Sequence, residues 1–171
     1  MRKKTGRSTN LVSAEDPPLP PGLLLYECTF GAKASLKKIV LNDLLAALRK
    51  SGAIADDGDD VRTRLCLDEA LNNALVHGSK NDPKKSVLVQ AYQSDSTYSV
   101  LIDDDGEGFR EEDLPDPQAE ENLHETGGRG IHLIRSIMDE VSYWRGGRTL
   151  FMSRIIKGKG LRRSSTRICV N

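Results

Sequence analysis

Apolar and polar residues alternate at Val87, Val89 and Ala91, and again at Tyr98, Val100 and Ile102. This period of two predicts a pair of strands joined by a turn around Ser94-Asp95-Ser96. Leu23, Leu24, Leu25, Tyr26 and Cys28 predict an earlier strand between Gly22 and Phe30. Ser35 is positioned as an N-cap, and Ile39, Leu41, Leu44, Leu45 and Leu48 follow at helical spacing up to Gly52. An acidic turn is expected over Asp56–Asp60. A second helix is expected from about Val61 to Val76, with Leu67, Leu71, Ala74 and Leu75 on one side and Gly78 at its end. A short helix over Gly130–Met138 and a hairpin of Glu140–Trp144 with Thr149–Ile156, turning at Gly146-Gly147, complete the pattern. Strand, two helices, two strands, helix and hairpin in that order predict an α+β fold. Its helices would pack on one face of a mixed, mostly antiparallel sheet.

Three stretches lack this periodicity. Residues 1–21 are polar and end in Pro17-Pro18-Leu19-Pro20-Pro21, which predicts a disordered tail. Residues 110–126 carry two prolines and many acids and predict a long loop. Residues 157–171 form a basic tail with Lys157, Lys159, Arg162, Arg163 and Arg167 and no acid. One domain with its own core is thereby expected over 22–156, within the 171 residues. The net charge of the chain is +0, but residues 17–156 hold sixteen bases against twenty-three acids. An acidic body argues against general nucleic-acid binding. No apolar run is long enough to span a membrane or to serve as a secretory signal, so a cytoplasmic protein is expected. Cys28, Cys66 and Cys169 match neither a zinc spacing nor a disulfide framework.

Three groups of residues carry candidate chemistry. Glu69 and Asn73 lie four apart on the second helix and share a face. A carboxylate there can accept a proton, and an amide oxygen can complete the coordination of Mg²⁺. Asp104 has the parity of Tyr98, Val100 and Ile102, so its carboxylate points inward, where it requires a hydrogen-bonding partner. Gly106 and Gly108 follow it and let the backbone approach a flat ring. A calcium loop competes for the same acids, but its register puts Leu101 or Leu114 where a carboxylate is needed. Gly127, Gly128, Arg129 and Gly130 lead into the third helix, a setting that suits phosphate oxygens. Neither GxxxxGK[S/T] nor a GxGxxG spans it. Taken singly, each group is also compatible with a solvated helix face, an acidic turn or a flexible helix entry.

In sequence order the three groups resemble a known set of boxes. Leu67-Asp68-Glu69-Ala70-Leu71-Asn72-Asn73-Ala74-Leu75-Val76-His77-Gly78 is similar to the N-box of the GHKL (Bergerat-fold) ATPase superfamily. Asp104–Phe109 is similar to its DxGxG box, and Gly127–Ile134 to its second glycine box. Within that superfamily the chain most resembles the anti-sigma factor serine/threonine kinases. The resemblance implies a two-layer α/β sandwich that binds ATP and Mg²⁺. It implies Glu69 as general base and Asn73 as Mg²⁺ ligand. It places Asp104 on the adenine amino group with Gly106 and Gly108 beside the ring, and Gly127, Gly128, Arg129 and Gly130 over the phosphates. Thr149 matches a late-strand position that assists adenine binding. The expected partners are a sigma factor, an anti-sigma factor antagonist as phosphorylation substrate, and a second copy of the chain in a homodimer. Asn72 before Asn73 and His132 in an apolar position depart from the pattern.

Two other functions fit the same residues. A non-catalytic module would bind ATP to tune partner affinity, without turnover. A catalytic domain of a sensor histidine kinase would need a phosphoacceptor histidine, and His77, His124 and His132 all lie outside the stretch before the N-box.

Overall fold

A computed structural model describes residues 12–54, 57–110 and 126–156. The elements are β1 (Leu23–Gly31), α1 (Ala34–Lys50), α2 (Asp57–Asn72) continued by a π-helical segment (Asn73–Gly78), β2 (Ser86–Gln93), β3 (Thr97–Asp104), α3 (Thr126–Ile137), β4 (Glu140–Trp144) and β5 (Thr149–Ile155). The five strands form one sheet in the order β1-β2-β3-β5-β4. Every pairing between these strands is antiparallel, where a mixed sheet was expected. The one parallel contact among the described residues is the isolated bridge of Val12 to Tyr143. The loop expected at 110–126 lies outside the described residues beyond Arg110, as does the basic tail.

The core is a single layer between helices and sheet. Val87, Val89 and Ala91 of β2, Tyr98, Val100 and Ile102 of β3, and Leu150 and Met152 of β5 are buried on its sheet side. Leu41, Leu44, Leu45 and Leu48 of α1 and Leu67, Leu71 and Leu75 of the second helix close over them, and Ile134 anchors α3. Each such side chain contributes roughly 1.5–3 kcal/mol on leaving water. Ile39, expected in the α1 stripe, is exposed, and Val40 takes the buried position. Ser35 lies inside the first turn of α1. The N-cap is Lys33, with no side-chain cap bond. The acidic stretch is helical from Asp57 onward, since carboxylates at a helix start complement its dipole.

One buried polar network ties α2 to β5. The Arg154 guanidinium lies 2.5 Å from Asp59, with both side chains 7% exposed, and it also donates to the Thr63 hydroxyl. Thr63 in turn shares a hydrogen bond with the Tyr98 hydroxyl. Arg154→Met removes the guanidinium and leaves the Asp59 carboxylate buried beside a thioether. We expect a loss of about 3 kcal/mol, read by chemical denaturation. A loss under about 1 kcal/mol would show that solvent reaches Asp59.

Residues 12–20, expected as part of a disordered tail, run beside β4 and then cross the sheet face opposite the helices. Ser13 donates its N–H to the Tyr143 carbonyl at 2.8 Å, and Pro20 is buried. Asp16 to Pro20 line a cleft together with Leu88, Gln90, Tyr92, Leu101, Asp103, Arg145 and Thr149. The polar residues before the prolines dock because the backbone groups of Ser13 and Glu15 find partners on β4 and the turn after it.

Candidate functional site

The second helix carries the site along its length. Glu69 is half-buried in α2, and Asn73, also half-buried, opens the π-helical segment one turn later. The four-residue spacing keeps both on one face. Across from them stands the first turn of α3. Gly130 is buried against Glu69, and a Cβ there would collide with the Glu69 carboxylate. The glycine at 130 thus makes room for the acid. Gly127, Gly128 and Arg129 occupy the same first turn, because α3 begins at Thr126, four residues earlier than expected. The side chain of Arg129 lies outside the described residues, so its expected phosphate contact does too.

The second pole is Asp104 at the end of β3. Its side chain points to the helix face, as parity predicts, and the residue is 8% exposed. Gly106 donates its N–H to Asp104 Oδ1 at 2.7 Å. Gly78, at the end of the π-helical segment, and Gly106 both press on the carboxylate. A Cβ on either would collide with it, and one on Gly106 would also strike the Gly78 carbonyl. Burial pushes the Asp104 carboxyl up to about 6. The carboxylates of Asp103 and Asp105 push the same way, while the Gly106 N–H and Lys85 pull against them. An inward carboxylate with one oxygen held by backbone keeps its other oxygen as an acceptor for a ligand N–H.

The three consecutive acids are drawn apart. Asp103 faces the opposite side of the sheet and accepts two bonds from Arg145 Nη1 at 2.7 and 2.9 Å. Asp105 accepts the N–H and hydroxyl of Ser86 at 2.8 and 2.6 Å. A calcium loop would converge these carboxylates. Among the described residues no three His, Cys, Asp or Glu side chains gather in a way that could hold a metal ion.

Thr149 is not part of this face. It pairs with Asp103 across the β3–β5 ladder, is buried, and donates its hydroxyl to the Asp103 carboxylate. Directly opposed residues share a face, so Thr149 and Asp103 look away from Asp104. The position on the Asp104 side is Arg148, whose carbonyl accepts the Asp104 N–H at 3.1 Å. Leu150 and Met152 already pointed to this parity in the sequence, which puts Thr149 out of step with the core.

Gly108 has φ +74 and packs against the Gly146 carbonyl, where a side chain would not fit. Gly78 was not expected as a wall of the site. Its signal was the glycine closing the N-box helix, readable as a helix stop and equally as a close approach. His77 and His132 are exposed. No helix among the described residues is long and apolar enough to cross a membrane.

Comparison with known proteins agrees with this layout. The histidine kinase-like ATPase domain matches residues 32–154. The serine-protein kinase RsbW of Staphylococcus epidermidis is 28% identical over 150 residues, covering 83% of this chain and 93% of that protein. The serine-protein kinase RsbW of Staphylococcus aureus strain JH9 is 27% identical over 145 residues, covering 80% and 90%.

Proposed function

The chain belongs to the histidine kinase-like ATPase domain family, and from that premise we propose that it is an ATP-dependent serine/threonine protein kinase acting as an anti-sigma factor. The observation that carries this reading is the pairing of two poles on one helix. Glu69 faces the α3 start, and Gly78 nine residues later faces Asp104. At 1.5 Å per residue the poles stand roughly 13 Å apart along the axis, a span suited to an extended nucleoside triphosphate.

At the Asp104 pole, the carboxylate accepts from the adenine amino group, and the cradle between Gly78 and Gly106 admits the flat ring. At the Glu69 pole, the free backbone N–H groups of Gly127 and Gly128 and the Arg129 side chain meet the phosphates, and Gly130 gives the room beside Glu69 that lets them approach. Asn73 fits a role as the protein ligand of Mg²⁺, which takes few protein oxygens and relies on phosphates and water for the rest. That ion, when bound, neutralises charge on the phosphates. Glu69 accepts the proton of a seryl or threonyl hydroxyl as its oxygen attacks the γ-phosphorus and ADP leaves. The names of the similar proteins support a serine acceptor. By the same reading the acceptor belongs to an anti-sigma factor antagonist, the regulated partner is a sigma factor, and the kinase works as a homodimer in the cytoplasm.

Thermal unfolding with and without Mg-ATP tests the nucleotide step. At about a hundred times Kd, a ligand of the folded state adds roughly 2.7 kcal/mol, so the melt should shift upward by several degrees. An unshifted melt at millimolar Mg-ATP would remove the whole reading. Incubation with labelled ATP and the cognate antagonist tests transfer. A shifted melt with no transfer to any such antagonist would leave an ATP-binding regulatory module in place of a kinase.

A further inference from the structure

The turn between β4 and β5 is built from three consecutive left-handed residues, Arg145 (φ 53), Gly146 (φ 65) and Gly147 (φ 90). Glycine adopts this conformation readily, and arginine does not. Something must therefore hold Arg145. Its N–H donates to the Glu15 carbonyl at 2.8 Å, and the Gly146 N–H donates to the Ser13 carbonyl at 2.8 Å. Its guanidinium is clamped on Asp103 and lies 3.7 Å from Asp16. Ser13 is itself fixed by its N–H to Tyr143, and its hydroxyl accepts the Glu15 N–H at 3.2 Å.

The other side of the same turn is the mould for the loop after Asp104. The Gly146 carbonyl accepts the Phe109 N–H at 3.0 Å and fills the space where Gly108 has no side chain. Gly147 packs directly on Phe109. The Arg148 side chain lies on Gly108, and its Nε donates to the Arg145 carbonyl at 3.2 Å. The Arg148 carbonyl accepts the Asp104 N–H. The turn is held between the N-terminal segment and the glycine loop, with backbone hydrogen bonds on both sides.

We propose that Ser13–Asp16 and Arg145 are positioning elements of the nucleotide site: the N-terminal segment keeps the β4–β5 turn in its left-handed shape, and the turn sets the Asp104–Phe109 loop for the base. No residue of the segment touches the Asp104 carboxylate, so the effect runs through the turn. The proposal rests on the nucleotide reading given above.

The test uses the full chain and Mg-ATP titration well below the melting temperature. Ser13→Pro removes the N–H bonded to Tyr143 and the hydroxyl bonded to Glu15. Its Kd for Mg-ATP should rise about fivefold or more. Arg145→Gly keeps the left-handed turn but frees Asp103 and Asp16, and should weaken binding in the same direction. Arg154→Met, far from the turn, serves as a control that lowers stability and should leave Kd unchanged. Wild-type affinity in both Ser13→Pro and Arg145→Gly overturns the proposal, as does an Arg154→Met variant weakened as much as they are. If Ser13→Pro does not fold, Arg145→Gly decides alone. A wild type that binds no Mg-ATP brings down the nucleotide reading and this proposal together, which distinguishes that failure from one confined to the variants.

Discussion

Replacing Asp104 with Asn should stabilise the nucleotide-free protein at pH 7.5 and abolish its response to Mg-ATP. The carboxyl sits at about 6 in the folded protein, chiefly from burial, against an ordinary 3.8. A folded state that holds its proton more tightly than the unfolded chain loses stability as pH rises through the window from about 4 to 6. Above that window the whole penalty of the charge is present, on the order of 3 kcal/mol. Asn carries no charge and its oxygen can still accept the Gly106 N–H. That bond turns its NH₂ toward the ligand, so a donor meets the adenine amino donor. Affinity should fall at least about a hundredfold. Wild-type affinity should weaken below about pH 6 as the carboxyl takes up its proton. Paired melts and titrations of wild type and Asp104→Asn check all three expectations. A variant that melts lower than wild type, or that still binds Mg-ATP with near-native affinity, would remove Asp104 from the base pocket.

Glu69→Gln should separate binding from chemistry. The amide preserves shape and the fit against Gly130, but accepts a proton poorly. Phosphate transfer should fall by about 10²–10⁴, the usual range for a lost general base, with nucleotide Kd within threefold of wild type. Gly130→Ala approaches the same defect from the other side, because the new methyl collides with the Glu69 carboxylate and displaces it. Single-turnover transfer from labelled ATP, with nucleotide titration in parallel, reads both variants. Transfer at the wild-type rate in Glu69→Gln would reassign the carboxylate to a structural role. Loss of nucleotide binding in the same variant would mean that the Glu69 carboxylate helps to hold the cation that accompanies the phosphates.

Much of this architecture was legible because its driving force is local. The alternations through β2 and β3 determine which side of the sheet faces the helices, and the same parity turns Asp104 inward. Parity was equally available for Thr149, whose neighbours Leu150 and Met152 belong to the core. Assigning Thr149 by family position alone put it on the wrong side of β5. Ile39 falls outside the buried stripe because Leu41, Leu44, Leu45 and Leu48 extend at three- and four-residue steps back to Val40 and not to position 39. The acids at 57–60 read as a turn, although a helix start favours carboxylates. The docking of residues 12–20 had no such signal. It depends on backbone hydrogen bonds to Tyr143, Arg145 and Gly146, which leave no trace in composition or periodicity. The approach of Gly130 to Glu69 was likewise out of reach, since it joins residues sixty-one positions apart.

The π-helical segment Asn73–Gly78 has a consequence for how this helix can vary. Its wide turn is closed by the Ser79 N–H on the Ala74 carbonyl and takes up one residue more than an α-turn would. Deleting one residue between Asn73 and Gly78 would let the α ladder close with both flanks still in phase, because the wide turn spends its extra residue without advancing the helix. Closing the full-length segment as α-helix would instead rotate Gly78 about the axis by roughly 100°. Glu69 would keep its place, but Gly78 would swing off the Asp104 carboxylate. The widened turn therefore acts as an angular gauge between the two ends of the site, carrying one residue that a regular helix could hold only by losing that alignment.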